Sequence, residues 1–400
     1  MNQPSYAELA RVVRDHAGRL AASLIHLVGD FATAEDLVAD AVEAALTYWP
    51  VDGIPDRPDA WLYTVARRRG LDLLRRERRY RDKLALVPWP AEPEPEPDDR
   101  LRLILTCCHP ALPRTAQVAL TLRVVRGLTT AQIAKAFLVP DSTVGQRITR
   151  AKRKISDAGI PYRIPPPEDL AGRLTEVLAV IYLLFNEGYL PTTGEQSQPR
   201  DLTDDAAFLA ALLHHRMPTE PEVTGLLALI RLHRARAAAR FDSGGGIIQL
   251  QHQDRTLWDR DAIAEAGRLI ARAAGHKRPG PYQLQAAIVA CHAEAKHWDD
   301  TDWTQIVVLY DILLRLAPSP VTRLHRAIAL RYVTGPAAAL AEVDGLADAL
   351  GDYHLFHATQ AELLRALNRP IEAREADQRA LERTANPAEQ TLLRRRINWA

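Results

Sequence analysis

The chain has 400 residues, of which 47% are hydrophobic and 25% are charged, and its formal net charge is +1. This length exceeds one ordinary hydrophobic core, so about two or three domains are expected. The near-zero net charge argues against a protein that coats nucleic acid uniformly. No apolar run approaches the roughly 20 residues that cross a bilayer, and the N-terminus lacks a secretory pattern. We therefore expect a cytoplasmic protein without a membrane partner.

Apolar residues recur at helical spacing along most of the chain and almost never alternate, which predicts an all-α fold. Prolines and acidic residues alternate within residues 88–100, and this pattern predicts an extended linker. A second proline-rich break follows at residues 161–170. The predicted domains are therefore residues 1–87, 101–160 and 171–400.

The first domain combines an acidic helix with a basic, aromatic one. In the acidic helix, Leu37, Ala41 and Ala45 are predicted to face the core. The predicted outer face consists of Glu35, Asp36, Asp40 and Glu43. Aromatic and arginine side chains on the next helix suit single-stranded DNA, because bases stack on rings and phosphates attract cations. These candidates are Trp61, Tyr63, Arg67, Arg68, Arg69, Arg75 and Arg76. We expect the indole of Trp61 to be packed as well.

Residues 129–155 have the pattern of a helix-turn-helix. Thr129 and Gln132 have the spacing of a capping box, and Pro140 marks the end of the first helix. Either Asp141 or Ser142 is expected to cap the second helix. The predicted apolar stripe of that helix is Val144, Ile148, Ala151 and Ile155.

The opposite face of the second helix is polar and basic. Short polar and arginine side chains near a helix N-terminus are what recognition of base edges in the major groove requires. Basic residues further along the helix would meet phosphates. The predicted DNA-binding residues are Ser142, Thr143, Gln146, Arg147, Arg150, Lys152, Arg153 and Lys154. The simpler alternative is an amphipathic hairpin whose basic face is only solvated.

The third domain contains an internal repeat. Residues 327–331 align with residues 361–365, and Gly335-Pro336 aligns with Arg369-Pro370, at a spacing of 34 residues. This spacing is the tetratricopeptide period, in which each repeat is a pair of helices. A less regular copy precedes them at residues 285–318. Stacked helix pairs form a concave surface that can hold a peptide or another domain.

A charged, aromatic cluster in the third domain has more polar content than a plain repeat requires. It consists of Asp254, Arg255, Trp258, Asp259 and Arg260. Two explanations remain open for this cluster. It forms an ordinary network of ion pairs between helices, or it is a site that packs on the rest of the chain or receives a protein or a ligand.

The sequence shows no arrangement typical of an enzyme or of a metal centre. Residues 244–246 are glycines, but no Lys-Ser or Lys-Thr follows them, so they do not form a phosphate-binding loop. Cys107 and Cys108 precede His109, but adjacent side chains on a helix point about 100° apart. Because their neighbours are apolar, we expect buried thiols. We therefore expect no catalytic residue, no metal and no cofactor.

The order of these parts resembles the extracytoplasmic-function sigma factors of bacterial RNA polymerase. Residues 29–41 together with residues 61–76 are similar to sigma region 2, and Leu120–Lys154 is similar to sigma region 4. The third domain is similar to the C-terminal extension of a subgroup with tetratricopeptide-like helices. The segments that carry this last likeness are Tyr182–Tyr189, Gln253–Arg260, Gly280–Ile288 and Asp302–Asp311.

The resemblance implies that the partners are core RNA polymerase and promoter DNA. The acidic helix would dock on the polymerase, the basic helix would hold the opened −10 element, and the helix-turn-helix would read the −35 element. The third domain would be regulatory. A rival hypothesis is a one-component DNA-binding regulator whose repeat domain binds a ligand or a protein. That regulator requires one basic element, whereas this chain has two.

Overall fold

The computed structural model describes residues 20–398, apart from residues 22, 26, 29–30, 82–98, 127, 138, 161, 190–198 and 243–245. The described residues form an all-α fold, as predicted. Their one pairing of extended chain is an isolated bridge between Phe241 and Ile247. The chain divides into two compact units, Met1–Leu184 and Phe185–Ala400.

The first unit contains two groups of helices. Its helices are α1 (Phe31–Asp52), α2 (Pro58–Arg81), α3 (Asp99–Cys107), α4 (Arg114–Val124), α5 (Thr130–Ala136), α6 (Asp141–Asp157) and most of α7 (Pro167–Tyr189). Helices α1 and α2 pack together, and Ala41, Leu62 and Ala66 are buried there. Gly53 ends α1, because its φ of 85° is a left-handed conformation that favours glycine.

The structure corrects the predicted boundaries of both linkers. Helix α7 begins at Pro167, so residues 167–170, predicted as linker, are helical. Proline suits the first helical turn because its missing N–H would have no partner there. The two units divide inside α7, after Leu184, rather than within residues 161–170. Most of the predicted linker 88–100 lies outside the described residues, and its last two residues begin α3.

The second unit is a series of packed helices. They are α8 (Pro199–Arg216), α9 (Pro221–Ala235), α10 (Arg260–Gly275), α11 (Pro281–Glu294), α12 (Trp303–Leu316), α13 (Pro320–Val333), α14 (Pro336–Asp344), α15 (Ala347–Leu350), α16 (His354–Ala366), α17 (Pro370–Arg383) and α18 (Pro387–Asn398). Helices α13 and α16 begin 34 residues apart, and so do α14 and α17. The predicted period is therefore present in the helices themselves.

Small residues repeat at the same period where the paired helices pack. Ala327 and Ala361 are 0% exposed, and so are Ala339 and Ala373. An alanine at such a position lets two helices approach closely without a cavity. The preceding pair, α11 and α12, is less regular, as predicted, because a short 3₁₀ turn at Trp298–Asp300 lies between them.

Helices α9 and α11 approach each other closely at Gly225. A Cβ atom on Gly225 would lie 2.6 Å from the backbone nitrogen of Gln283 and 2.9 Å from its Cα. The same contact satisfies the N-terminus of α11, because the Glu222 carboxylate accepts from the backbone N–H groups of Tyr282 at 3.0 Å and Gln283 at 3.1 Å. An acidic side chain is favourable at a helix N-terminus, where the backbone N–H groups lack helical partners.

We expect Gly225→Ala to destabilise the second unit by about 1–3 kcal/mol, because the added methyl group meets backbone atoms that cannot move freely. The matched control is Gly267→Ala in α10, where the nearest atom is Glu294 Oε1 at 3.7 Å. This control should be neutral or stabilising by up to about 1 kcal/mol, since alanine is the better helix former. Denaturant unfolding of the full chain measures both, and equal stability of the two variants would contradict the close approach.

Candidate functional site

The predicted helix-turn-helix is formed by α5 and α6. The capping box is present, because the Thr129 N–H donates to Gln132 Oε1 at 2.8 Å and the Gln132 N–H donates to Thr129 Oγ1 at 3.1 Å. The apolar stripe of α6 is buried as predicted. The expected cap of α6 was wrong: Pro140 precedes the helix, and neither Asp141 nor Ser142 provides a side-chain cap. Asp141 instead lies in the first turn, where a negative charge is favourable.

Most of the predicted DNA-binding side chains point away from the core of the first unit. Thr143 and Arg147 are half-buried. The exposed ones are Ser142, Gln146, Arg150, Arg153 and Lys154. Arg153 lies 3.5 Å from Asp157 in an exposed pair one helical turn apart, and such pairs contribute little to stability. The five exposed positions of this face are therefore open to a polyanion, whereas Thr143, Arg147 and Lys152 are partly covered.

The aromatic residues of α1 and α2 form one cluster. Trp61 packs edge-on against Trp49 with ring centroids 5.3 Å apart, and Trp49 is 1% exposed. Trp61 itself is half-buried, so it is packed in part, as expected. Tyr48 was not predicted: its ring lies 6.5 Å from that of Trp61, and it is 56% exposed. Sequence spacing alone does not show which of two adjacent aromatic residues faces solvent.

The predicted basic residues of α2 differ in exposure. Tyr63 and Arg67 are half-buried, whereas Arg68 and Arg69 are exposed. Arg69 Nη1 lies 3.1 Å from Asp40 Oδ2, and both side chains remain nearly half exposed. This pair joins the basic helix to the acidic face of α1. Arg75 and Arg76 continue α2, but their side chains lie outside the described part of the structure.

The acidic face of α1 does not include Glu35. Asp36 and Glu43 are exposed as expected, but Glu35 is only 7% exposed. The Arg123 Nε–H donates to Glu35 Oε1 at 2.9 Å, and Lys152 Nζ lies 2.5 Å from Glu35 Oε2. The expectation that Glu35 is a solvent-facing acid was therefore wrong. Its partners lie on α4 and α6, and Arg123 is 88 residues away in sequence.

Arg123 contacts both α1 and the turn before α5. Besides Glu35, it binds the turn before α5, because its Nη1–H donates to the carbonyl oxygen of Leu128 at 3.1 Å. A buried carboxylate is costly unless charged partners compensate for the lost water. Here Arg123 and Lys152 provide that compensation, so ion pairs join α1 to α4 and α6. One of these ion pairs joins a predicted DNA-binding residue, Lys152, to a predicted polymerase-binding residue, Glu35.

The cysteines of the first unit are buried, as predicted. Burial raises the pKa of Cys108 to about 12 and also raises that of Cys107, on which the neighbouring Cys108 and Glu35 act in the same direction. Such thiols stay protonated and unreactive. In the described ranges, no three His, Cys, Asp or Glu side chains are grouped so as to hold a metal ion. None of the helices described is both long and apolar enough to cross a membrane.

Within the described ranges, the charged cluster of the second unit forms local caps and contacts to backbone carbonyls rather than ion pairs. The Asp254 carboxylate accepts from the Thr256 N–H at 2.9 Å, and the Asp259 carboxylate accepts from the Ala262 N–H at 2.9 Å. These two acids therefore cap local turns. Arg255 and Arg260 donate to backbone carbonyls at the end of α11, and Trp258 is 3% exposed.

Comparison with known proteins identifies the helices of the first unit. Residues 12–80 match the family described as Sigma-70 region 2, and residues 102–155 match Sigma-70, region 4. The chain is 32% identical over 156 residues to the ECF RNA polymerase sigma factor SigL of Mycobacterium tuberculosis, which covers 37% of this chain and 88% of SigL. The chain belongs to the extracytoplasmic-function sigma factors.

The likeness of this sigma factor to other proteins extends beyond regions 2 and 4. It is 44% identical over 377 residues to the uncharacterized protein R00370 of Rhizobium meliloti, a match that covers 91% of this chain and 89% of that protein. Residues 173–274 match a family of unknown function, DUF6596. The protein is thus a sigma factor with a C-terminal helical extension, and the extension is shared with a relative of similar length.

Proposed function

We propose that this sigma factor binds core polymerase through α1, holds the opened −10 element with α2 and reads the −35 element with α6. The observation that carries the proposal is the pairing, in one unit, of a helix-turn-helix with a second helical group that bears exposed arginines and an aromatic cluster. A one-component regulator requires only the helix-turn-helix. Co-purification with core polymerase separates the two hypotheses, because the regulator would not be retained.

Promoter reading rests on the exposed face of α6. Arg147 and Arg150 lie near its N-terminal half, where a recognition helix meets base edges. Arg153 and Lys154 lie further along and are exposed, which suits contact with phosphates. Base contacts determine specificity, whereas phosphate contacts add affinity that does not depend on sequence.

We expect Arg147→Ala to weaken binding by about 1–3 kcal/mol and to relax the preference at one position of the −35 element. The matched variant is Arg153→Ala, which should weaken binding to all −35 sequences alike. Holoenzyme affinity is measured across single-base variants of the −35 element at one fixed salt concentration. An unchanged pattern of preferences in Arg147→Ala would remove this residue from base recognition.

The acidic residues of α1 differ in how accessible they are to a polymerase. Asp36 and Glu43 are exposed and available. Glu35 is engaged by Arg123 and Lys152, and its carboxylate cannot meet a polymerase while it is buried there. We therefore propose that α1 separates from α4 and α6 when the polymerase binds. That separation also releases Lys152 for contact with DNA.

We expect Asp36→Lys combined with Glu43→Lys to weaken the affinity for core polymerase by about tenfold or more, which corresponds to about 1.4 kcal/mol. The fold should persist, since exposed substitutions usually change stability by no more than about 0.5 kcal/mol. Glu168→Lys combined with Asp169→Lys, both exposed at the start of α7, is the charge-matched control. Unchanged affinity in a titration with core polymerase would exclude this face.

The same titration tests the release of Glu35. Arg123→Met removes one of the two cations and should raise the affinity for core polymerase, because less interaction must be broken on binding. Arg114→Met on the same helix removes only a partly exposed pair with Glu176 and should have no effect. A weaker or unchanged affinity of Arg123→Met, with circular dichroism like that of the parent, would show that Glu35 need not be released.

We also propose that the C-terminal helices modulate initiation. Supporting this, they form a compact unit of their own with repeated helix pairs, which suit contact with another molecule. The structure sets the boundary for a deletion. Early α7 packs in the first unit, because the Arg173 guanidinium donates to the carbonyl oxygen of Leu105 at 3.5 Å. A deletion that preserves this packing must keep the early turns of α7, and a chain that ends after Tyr189 keeps the whole helix.

We expect a chain that ends after Tyr189 to differ from the full-length protein in transcription from a cognate promoter. The measurement uses purified components at matched protein concentration, with binding to core polymerase as the control for a folded first unit. Equal transcription by the two chains would exclude direct control by the tail and leave only a role in binding partners.

A further inference from the structure

Two arginines in the second unit lie close to one buried indole. The Arg255 Cζ lies 4.5 Å from the centroid of the Trp258 ring, and the Arg236 Cζ lies 5.9 Å from it. Arg260 is close by, since its Nη2–H donates to the carbonyl oxygen of Arg255 at 3.3 Å. Among the described residues, none of these three arginines forms an ion pair with a carboxylate. Three positive charges thus lie together, with no ion pair to a described carboxylate.

Several donors of this cluster are buried and have no hydrogen-bond partner in the part of the chain that the structure describes. They are Arg236 Nε, Arg255 Nη2 and Trp258 Nε1. Arg236 is 8% exposed and Trp258 is 3% exposed. Bulk water therefore does not provide the missing acceptors for these donors. An unsatisfied buried donor lowers the stability of the fold, and a charged one lowers it more. An acceptor supplied by a ligand would remove this cost.

The nearby acidic residues do not supply the acceptor. Asp254 and Asp259 are committed to local caps, and Asp300 accepts from the backbone of His297 at 3.0 Å. Burial lowers the pKa of Arg255, and Arg260 and Arg236 lower it further, while Asp300 opposes them only weakly. The local field is therefore positive.

The ring of His292 completes one side of the cluster. Burial lowers the pKa of His292 to about 4, and the charges of Arg236 and Arg255 act in the same direction. The ring is therefore neutral near pH 7, and its Nδ1 atom is buried without a partner. A neutral histidine adds a hydrogen-bonding group without adding another positive charge.

We infer that Arg236, Arg255 and Trp258 form a binding site for an oxyanion, a phosphate or carboxylate group carried by a small ligand. Arg236 and Trp258 form the floor of the site, whereas Arg255 and Arg260 extend towards the surface. A guanidinium group presents its N–H donors in the fork that matches two oxygens of a phosphate or carboxylate. The indole N–H supplies a further donor to the same anion.

Thermal unfolding of the full chain tests this site without polymerase or DNA, so its failure would leave the sigma-factor assignment untouched. Inorganic phosphate is one probe and succinate is the other, each compared with sodium chloride at equal ionic strength. At about five times the dissociation constant, the bound anion should raise the Tm by about 2–4 °C. A rise with phosphate but not succinate assigns a phosphate ligand, and the reverse assigns a carboxylate.

Arg236→Met should abolish the rise, and in chloride alone its Tm should equal or exceed that of the parent because an uncompensated buried charge is gone. The control is Arg234→Met, which removes an exposed arginine that pairs with Asp204 at 2.6 Å and should retain the rise. If Arg236→Met does not fold, Trp258→Phe removes one donor and should reduce the rise. The absence of a rise with both anions, or an equal rise in the variants of Arg236 and Trp258, would overturn the proposal.

Discussion

The carboxylate of Glu35 is nearly removed from water, and both of its oxygens are held by cations from helices that follow much later in the chain. Charge buried in this way is tolerated only when its partners are in place, and removal of one partner from a buried pair typically costs about 3–5 kcal/mol. The two ion pairs of Glu35 therefore join region 2 to region 4 in the first unit. Asp36 and Glu43 lie on the same helix but carry no such constraint, because they are exposed.

In the proposed docking through α1, that constraint would lower the affinity for core polymerase. A surface that must first be uncovered binds with an affinity reduced by the fraction of molecules in the open form. Every ~1.4 kcal/mol that holds α1 closed lowers the apparent affinity about tenfold. In this proposal, opening would also free Lys152, so that one event makes both a polymerase contact and a DNA contact available. Helix α2 is different: its Arg69–Asp40 pair is largely solvated, so it opposes binding little.

The sequence predicts those features whose causes are local. The capping box of Thr129 and Gln132 and the buried stripe of α6 follow from spacings of three and four residues, and the 34-residue period follows from Ala327 and its equivalents. The start of α7 at Pro167 was not predicted. A proline that ends a helix and a proline that begins one cannot be distinguished from the local sequence alone. The burial of Glu35 was not predictable, since Arg123 is 88 residues away.

The described part of the first unit pairs its buried carboxylate with cations, whereas that of the second unit holds arginines without a carboxylate partner. In the first unit, Glu35 already has its cations, so any partner that uses Glu35 must replace interactions that exist. In the second unit, Arg236 and Arg255 have carbonyl, hydroxyl and ring partners but no carboxylate among the described residues, so an anion would add interactions without breaking an ion pair. The composition of residues 254–260 indicated this region. Its acids are caps, however, and two of the groups beside Arg255 and Trp258 come from elsewhere: Arg236 from the end of α9 and His292 from α11. A site of this kind costs stability while it is empty, and function is the usual reason for such a cost to persist.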